Sequence, residues 1–263
     1  VEIEDEDSLS ERLNANRAVK PLDAAVIRLP HISNFTDFMP LEQHELLGVR
    51  YVQRARELGR PDLVILPGTK NTMEDLLWLR QNGLEAAALK LAHAGTPILG
   101  VCGGYQMLGQ TLDDPQGTES GRPMALSGLG LLPTRTVFDA QKRRMQVRAA
   151  AQGELFGGAR LTGYEIHNGR TEVGGAPFCV LEDGTPEGCV NRNVFGTYLH
   201  GLFDSGELTG ALVRMLCARK GISPTQTQLM SMADYRQQQF DLLADGVRQA
   251  LDMGAVYRAI NTA

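Results

Sequence analysis

The strongest chemical signal in the chain is a cysteine set between glycines, in the sequence Gly-Val-Cys-Gly-Gly at residues 100–104. The apolar run ending at Val101 predicts a buried strand, and the residues from Tyr105 onward predict a helix. A nucleophile at such a turn needs flanking glycines, because the strained backbone leaves no room for side chains. Cys102 would then lie at a helix N-terminus, where the helix dipole favours the thiolate and lowers the cysteine pKa. A small buried cysteine beside a tight turn is also compatible with this motif alone.

Two backbone amides are candidates for stabilising a negatively charged oxygen next to this thiol. The amide of Gly103 directly follows the nucleophile and would point the same way. Gly68 lies in a turn at the C-terminal end of another predicted strand, where sites of α/β proteins are built. The sequence around Gly68 lacks the spacing of a phosphate-binding loop, so we do not expect this chain to bind ATP by itself. Cys102 with these two amides predicts acyl-transfer chemistry.

A thiolate nucleophile also needs a general base and acid, which is usually a histidine. Of the five histidines, His200 is the strongest candidate, because it ends an apolar strand and precedes Gly201. His31, near the end of the first predicted strand, is a weaker candidate, and His167 also remains open. Surface or capping roles are expected for the other two histidines, His44 and His93.

Short apolar strands that alternate with helices must position these residues. Strands are predicted at 24–29, 49–53, 63–66 and 96–101, and helices at 72–80 and 84–93. The alternation indicates a mostly parallel sheet flanked by helices, and therefore an α/β fold. Residues 134–199 contain shorter strands and many turns, which predict an antiparallel extension. Helices predicted at 207–219 and 232–253 close the chain.

Composition excludes several classes of function. The chain has 263 residues, enough for a substantial core, and its net charge of -5 disfavours nucleic acid as a partner. The dense basic cluster at 142–144, followed by Arg148, is expected to be a solvated loop or strand edge. No apolar run approaches the ~20 residues that cross a bilayer, so no membrane partner is expected.

The four cysteines lack the spacing of a zinc site, so we expect no metal, and a reducing cytoplasm fits their usage best. Cys179 and Cys189 flank a predicted hairpin, and both a paired and a merely buried state remain open. Cys217 lies on an apolar helical face and is expected in the core.

Four segments, taken in order, carry a resemblance to a known family. They are Leu-Pro-Gly-Thr-Lys-Asn-Thr (66–72), Gly-Val-Cys-Gly-Gly-Tyr-Gln-Met-Leu-Gly (100–109), Gly-Tyr-Glu-Ile-His-Asn-Gly (163–169) and Gly-Thr-Tyr-Leu-His-Gly (196–201). Together they resemble the glutamine amidotransferase domain of cobyric acid synthases, and residues 32–38 and 239–245 also fit. The third segment distinguishes this family from the related cobyrinic acid a,c-diamide synthases, which differ at those positions. The resemblance implies a class I glutamine amidotransferase fold, which is flavodoxin-like.

The resemblance also implies roles for individual residues. Cys102 would attack the side-chain carboxamide of glutamine, and His200 would assist departure of ammonia and then activate water. Gly68 and Gly103 match the positions whose amides stabilise the oxyanion. The residues matching positions near the bound glutamine are Gln106, Tyr164, Glu165, His167 and Asn168. For Tyr164 and Ile166, simple packing on a strand remains an alternative.

One position departs from the pattern of this broad class. Many of its glutaminases carry a glutamate two residues after the histidine, where this chain has Leu202. The residue that orients His200 is therefore absent or supplied from elsewhere. Asp204 and Glu165 are conceivable, although a helix cap is the favoured role for Asp204.

The resemblance further implies a longer enzyme. The family also has an N-terminal synthetase domain, which uses ATP and Mg²⁺ to activate corrinoid carboxylates. The whole enzyme converts adenosylcobyrinic acid a,c-diamide to adenosylcobyric acid in cobalamin biosynthesis. Residues 1–20 are acidic and are expected to be a linker from that domain, and residues 21–263 the glutamine amidotransferase domain. This chain would then hold no cofactor, and its partners would be L-glutamine, the synthetase domain and its corrinoid.

Three other functions remain open from the sequence. The domain could serve a cobyrinic acid a,c-diamide synthase or a cell-wall amidating enzyme. It could be a non-catalytic binding module that retains the fold. A cysteine hydrolase such as a peptidase would also have a similar turn at the nucleophile.

Overall fold

The computed structural model of the chain describes residues 19–153, 156–223 and 232–261. The predicted linker, residues 1–20, lies almost wholly outside this part, so it stays a prediction. Two sheets dominate the described residues, one of six strands and one of mostly antiparallel strands.

The strands are β1 (Leu22–Ile27), β2 (Leu47–Val52), β3 (Leu63–Leu66), β4 (Ile98–Val101), β5 (Thr111–Asp114), β6 (Met124–Ser127), β7 (Thr134–Ala151), β8 (Arg160–Val173), β9 (Cys179–Leu181), β10 (Pro186–Glu187), β11 (Cys189–Asn191), β12 (Val194–Thr197) and β13 (Leu199–His200). The helices are α1 (Met39–Gln43), α2 (Ala55–Leu58), α3 (Thr72–Gln81), α4 (Leu84–His93), α5 (Gly103–Leu108), α6 (Glu207–Lys220), α7 (Met232–Ala250) and α8 (Met253–Asn261). A 3₁₀ turn at Phe35–Phe38 leads into α1.

The first sheet has the order β11-β12-β4-β3-β1-β2. All its pairings are parallel except that of β11 with β12. The three strands β3, β4 and β12 are buried along their whole length, as parallel strands covered on both faces must be. Their apolar sequences predict this position, and the expected parallel sheet is confirmed. Because β3, β4 and β12 are neighbours, the turns after their carboxyl ends meet at one edge of the sheet.

The second sheet forms the expected antiparallel extension. It has the path β10-β9-β7-β5-β6, with β8 pairing both β7 and β13; only β5 and β7 run parallel. Strands β7 and β8 form a long hairpin, whose register shifts between Val137 and Lys142. The basic cluster at 142–144 lies within β7 and not in a loop.

The helix predictions differ in their outcome. The segments expected at 72–80, 84–93 and 207–219 form α3, α4 and α6 within one residue of the predicted bounds. The helix expected at 232–253 forms α7, which starts at Met232 as expected and ends at Ala250, and a further helix, α8, begins at Met253. The side chain of Asp252 accepts a hydrogen bond from the Ala255 amide, which is the usual geometry for starting a new helix.

The cysteines outside the turn are structural. Cys179 lies in β9 and Cys189 in β11, on strands of different sheets, and both are free thiols. The paired state considered from the sequence is therefore wrong. Cys217 is buried on α6, as expected.

Candidate active site

Cys102 occupies a strained turn between β4 and α5. Its φ of 51° and ψ of -110° are unusual for a residue with a side chain, and such a conformation costs on the order of 1–3 kcal/mol. The Cys102 amide donates a 2.8 Å hydrogen bond to the Thr197 carbonyl oxygen, which fixes the turn to β12. A Cβ atom on Gly104 would collide with the Leu66 carbonyl oxygen. Only glycine therefore lets α5 pack this closely on β3, and the predicted glycine-flanked turn is confirmed.

The imidazole of His200 lies between Cys102 and a buried carboxylate. The Cys102 side chain is close enough to His200 to raise the pKa of the imidazole, and the thiol itself donates a 3.6 Å bond to the Ile166 carbonyl oxygen. On the other side of the ring, Nδ1 lies 2.7 Å from Oδ2 of Asp37, and the second oxygen of Asp37 accepts a 2.9 Å bond from the Gly201 amide. Both His200 and Asp37 are almost completely buried. The three side chains are thus placed in the order of a thiol, imidazole and carboxylate relay.

The charge state of His200 follows from these contacts. Burial by itself lowers the pKa of His200, but the hydrogen bond to Asp37 and the nearness of Cys102 outweigh burial and raise the pKa to about 10. His200 is thereby protonated near neutral pH. A protonated imidazole is the general acid that a departing amine requires.

Asp37 takes the orienting role that sequence analysis considered for Asp204 and Glu165. Asp204 instead lies 3.6 Å from a guanidinium nitrogen of Arg236. The helix-cap role expected for Asp204 is also wrong, because Gly206 is the N-cap residue of α6 and no side chain caps that helix. Leu202 stands where many related enzymes have a glutamate. Asp37, in the 3₁₀ turn between β1 and α1, supplies a carboxylate to His200 in its place.

The two amides proposed for the oxyanion lie in neighbouring turns. A Cβ atom on Gly68 would be 3.2 Å from Cε1 of His200, and one on Gly103 would be 2.6 Å from Cγ2 of Thr69. In the part of the chain that the structure describes, neither amide donates a hydrogen bond to another residue. Gly68 therefore lies against the His200 ring, and Gly103 directly follows Cys102 in the neighbouring turn.

His31 supports one of these turns and does not act as the base. Its Nδ1 lies 2.8 Å from Oδ1 of Asp75, and the other oxygen of this buried carboxylate accepts a 2.5 Å bond from the Thr69 hydroxyl. The Lys70 amide donates a 3.0 Å bond to the His31 carbonyl oxygen. The network fixes the turn that carries Gly68.

A cavity of about 400 Å³ opens beside the thiol, which is in the size range of small-molecule sites. Its lining residues are Ser33, Asn34, Thr69, Lys70, Thr72, Cys102, Gln106, Glu119, Phe138, Ile166, His167, Asn168 and His200. Most of these are polar, which suits a polar ligand whose groups need hydrogen bonds.

The family of this chain follows from its match to a known protein family. Residues 23–208 match the family described as the CobB/CobQ-like glutamine amidotransferase domain. The chain belongs to this family. The glutamine amidotransferase domain predicted from its motifs is thereby confirmed.

Relatives of this glutamine amidotransferase domain are longer proteins. Cobyric acid synthase of Ruminiclostridium cellulolyticum is 43% identical over 274 residues, which cover 99% of this chain and 53% of that protein. Cobyric acid synthase of Salmonella typhimurium is 44% identical over 272 residues, which cover 98% of this chain and 53% of that protein. The chain thus spans about half the length of the curated relatives it matches.

Solved structures confirm the fold. The structure of PurLQS from Thermotoga maritima covers 76% of this chain and 99% of its own, with a TM-score of 0.56 and 18% identity. A crystal structure of a glutamine amidotransferase has the same coverage and identity and a TM-score of 0.52. At this identity the likeness establishes the glutamine amidotransferase fold.

The Gln106 side chain forms hydrogen bonds with residues of both sheet regions at the cavity. Its amide nitrogen donates to the Asn168 carbonyl oxygen at 3.1 Å and to the Tyr198 hydroxyl at 3.2 Å, while its oxygen accepts from the Thr72 hydroxyl at 3.1 Å. His167 stacks on Tyr198 with ring centroids 3.6 Å apart, and burial lowers its pKa to about 4. His167 is therefore neutral at pH 7 and unsuited to the role of general acid.

The five residues expected around the substrate divide into two groups. Gln106, His167 and Asn168 line the cavity. Tyr164 does not line it but stacks on His200, with centroids 5.3 Å apart, and its hydroxyl accepts a bond from Asn34.

Glu165 does not join the site as expected. It lines a second cavity of about 560 Å³, which His167 borders as well. Burial raises the pKa of Glu165, against the effect of Arg143, whose guanidinium nitrogen is 2.5 Å away.

Three charged residues near the thiol were missed by sequence analysis: Asp37, Lys70 and Glu119. Across the described ranges, no group of three or more His, Cys, Asp or Glu side chains is arranged to hold a metal ion. Nor does any helix of those ranges have the length and apolarity needed to cross a bilayer.

Proposed function

We propose that this domain hydrolyses L-glutamine through a thioester on Cys102 and supplies the ammonia for amidation of corrinoid carboxylates. The observation that carries the proposal is the buried relay of Cys102, His200 and Asp37 beside an open polar cavity. The acceptor is inferred from the relatives, which are named cobyric acid synthases. The proposed reaction of the whole enzyme is conversion of adenosylcobyrinic acid a,c-diamide to adenosylcobyric acid, in cobalamin biosynthesis.

The geometry supports a two-step mechanism. The thiolate sulfur of Cys102 attacks the carboxamide carbon of glutamine, and the Gly68 and Gly103 amides donate to the resulting oxyanion. His200 then gives its proton to the departing nitrogen, so that ammonia leaves and a γ-glutamyl thioester remains. In the second step the neutral imidazole takes a proton from water as its oxygen attacks the thioester carbon, and the C–S bond then breaks, which releases glutamate and returns the Cys102 thiolate. Asp37 keeps the ring oriented through both steps.

His200→Asn is expected to lower glutamine turnover by at least ~10²-fold, because the general acid and base is lost. His167→Asn and His31→Asn should each cost less, since His167 is neutral and His31 only supports a turn. The measurement is glutamate release at saturating glutamine, with the circular dichroism spectrum as a check on folding. If either control variant lost more turnover than His200→Asn, the wrong histidine would have been assigned.

The remaining half of the enzyme is part of the proposal. We place there the synthetase domain that binds ATP, Mg²⁺ and the corrinoid acceptor, with none of these cofactors in this chain. The linker proposed at residues 1–20 would connect the two. A cytoplasmic location is also proposed, and it is supported by four cysteines that are all free thiols.

Adding the synthetase portion with ATP and corrinoid is expected to raise the glutaminase rate of the isolated chain at least tenfold, or about 1.4 kcal/mol in barrier. The Gly68 amide lies in a turn at the edge of the sheet, and a misplaced oxyanion donor alone costs about 10² to 10³ in rate. Glutamate release by the isolated chain and by the complete enzyme should be compared at saturating glutamine. Equal rates would mean that the site is already organised without its partner.

The nature of the acceptor is tested separately. The complete enzyme should amidate adenosylcobyrinic acid a,c-diamide with glutamine as nitrogen source. Preferred amidation of cobyrinic acid or of a cell-wall precursor would assign the domain to one of the alternative enzymes. Absence of glutamate release from both the isolated chain and the complete enzyme would indicate a non-catalytic module.

A further inference from the structure

A buried carboxylate that the proposed mechanism does not use lies at the wall of the second cavity. Glu187, in β10, is only 6% exposed and lines this cavity. Its carboxylate accepts hydrogen bonds from the Tyr198 amide at 2.6 Å, the Thr197 hydroxyl at 2.6 Å and the Cys179 thiol at 3.3 Å. Among the described residues, no cationic side chain forms an ion pair with Glu187. A negative charge held in the interior by neutral donors is unfavourable, so its presence needs a reason.

Two of these donors lie where the chain passes from the first sheet to the second. Strand β12 runs parallel to β4 and ends at Thr197, and β13, which begins at Leu199, pairs with β8. The Tyr198 amide bonds to Glu187 directly. The Leu199 amide donates to the Thr197 hydroxyl at 3.1 Å, and that hydroxyl donates onward to Glu187. Glu187 therefore holds residues 197–199, the sheet crossing, at both of its amides.

The sheet crossing adjoins both reactive side chains. The Thr197 carbonyl oxygen accepts the 2.8 Å bond from the Cys102 amide, and His200 directly follows the crossing. A Cβ atom on Gly188 would lie 2.4 Å from the Gly196 carbonyl oxygen, so the chain beside Glu187 passes very close to β12. A shift of the crossing would therefore change the position of His200 relative to Cys102.

We propose that Glu187 is a positioning residue for glutamine hydrolysis, whose carboxylate holds the sheet crossing and thereby sets His200 against Cys102. This inference rests on the proposed glutaminase function. The His200 ring must reach both the sulfur and the departing nitrogen, and a misplacement of about 1 Å caused by a remote residue can cost ~10²-fold in rate. Glu187 acts through the backbone of the crossing and through Thr197.

The pKa of Glu187 indicates that its charge does not serve stability alone. Burial raises this pKa to about 7, against the effect of the three hydrogen bonds. A carboxyl whose pKa is higher in the folded chain than in the unfolded chain makes a contribution to stability that is lost as the pH rises through the folded value. Near pH 8 the Glu187 carboxylate thus lowers the stability of the chain while it orders the crossing.

Other titratable or charged groups surround Glu187 from each neighbouring element. The acidic and neutral ones are Cys179 on β9, Glu165 and His167 on β8, Tyr105 on α5, Cys189 on β11, Tyr198 and Asp139, and the basic ones are Arg143 and Arg170. Arg143 pairs with Glu165, and Arg170 pairs with Asp139. Below about pH 7 the protonated Glu187 has one acceptor oxygen fewer for the crossing, so we expect turnover to fall there.

The test is Glu187→Gln, which keeps the shape and an acceptor for the Tyr198 amide but presents a donor to the Thr197 hydroxyl. Glutamate release by the 263-residue chain should show kcat at pH 8 lowered about tenfold, the scale of one charge-assisted hydrogen bond, with KM for glutamine within about twofold. From pH 8 to pH 6, kcat should fall less in this variant than in the unaltered chain. From pH 6 to pH 8, its thermal unfolding temperature should fall less. Glu182→Gln, which alters an exposed carboxylate in the turn before β10, is the matched control and should change neither kcat nor its pH dependence.

Thr197→Val tests the same link from its other side. It removes the hydroxyl that connects Glu187 to the Leu199 amide and keeps a side chain of similar size. We expect a similar loss in kcat, again with KM within about twofold. This variant decides the question if Glu187→Gln does not fold.

Each outcome supports or overturns the assignment. Unchanged kcat in Glu187→Gln, or in Thr197→Val, would overturn it. A loss of kcat that is matched by a loss of thermal stability at pH 8, with the pH dependence of kcat unchanged, would show a structural role and overturn it as well. Absence of glutamate release by the unaltered chain, with or without its synthetase portion, would instead refute the underlying glutaminase function and with it any role of Glu187 in that reaction.

Discussion

Cys102→Ala is expected to abolish glutamine hydrolysis, with a loss of at least ~10⁴-fold in turnover. In the proposed mechanism the Cys102 sulfur forms the thioester, and loss of a nucleophile from a catalytic relay removes nearly all its rate enhancement. The complete enzyme should retain amidation driven by added ammonium salts, because free ammonia does not need this site. Glutamate release and corrinoid amidation should be measured on the same preparation.

Cys217→Ala is the matched control, since it removes a buried thiol from α6, away from the cavity. This variant should hydrolyse glutamine at close to the parent rate. Retention of hydrolysis by pure Cys102→Ala protein would refute the nucleophile assignment. Loss of the ammonia-driven reaction as well would point to a folding defect in that variant, which its thermal unfolding would reveal.

Asp37→Asn is expected to lower turnover by about 10² to 10⁴-fold with little change in KM. An amide can still accept the bond from the Gly201 amide, but it no longer holds the His200 ring with a negative charge. The Asp37 carboxylate also raises the pKa of His200, so its loss lowers that pKa. The protonated acid is then lost at lower pH, and the alkaline limb of the kcat profile should move toward lower pH.

The control for this prediction is Asp204→Asn, because Asp204 was the alternative orienting residue. Its turnover should stay within about twofold of the parent, and its pH profile should not move. A larger effect at Asp204 than at Asp37, or an unchanged profile in Asp37→Asn, would contradict the orienting role of Asp37.

Much of the parallel layer could be predicted from the sequence. The bounds of β3 and α4 match their prediction, because a four-residue apolar strand and a glycine-terminated helix are local signals. The nucleophile turn was equally recognisable, since the glycines that flank Cys102 are adjacent to it in the sequence. Such features depend on neighbouring residues and leave a recognisable pattern.

Asp37 and Glu119 left no such pattern. Asp37 meets His200 across 163 positions of sequence, and its neighbours Thr36 and Phe38 do not mark it as a partner of a histidine. Glu119 lies in a loop without periodicity, and its place beside the cavity depends on how the chain beyond β5 folds back on α3. Strand alternation would not have separated Glu165 from the site, because His167 lies on the same face of β8 and lines both cavities.

The relay joins parts of the chain that become neighbours only when folding is nearly complete. Cys102 follows a strand of the parallel sheet, His200 ends a strand paired with the antiparallel sheet, and Asp37 lies in the turn after β1. Contacts of such high sequence separation form late, because long loops must close first. A partly folded chain would hold a thiol without its acid and could not consume glutamine. Glutaminase activity therefore reports whether the two sheets have packed together. If glutamate release is monitored during refolding, the rate at which activity returns gives the rate of that packing.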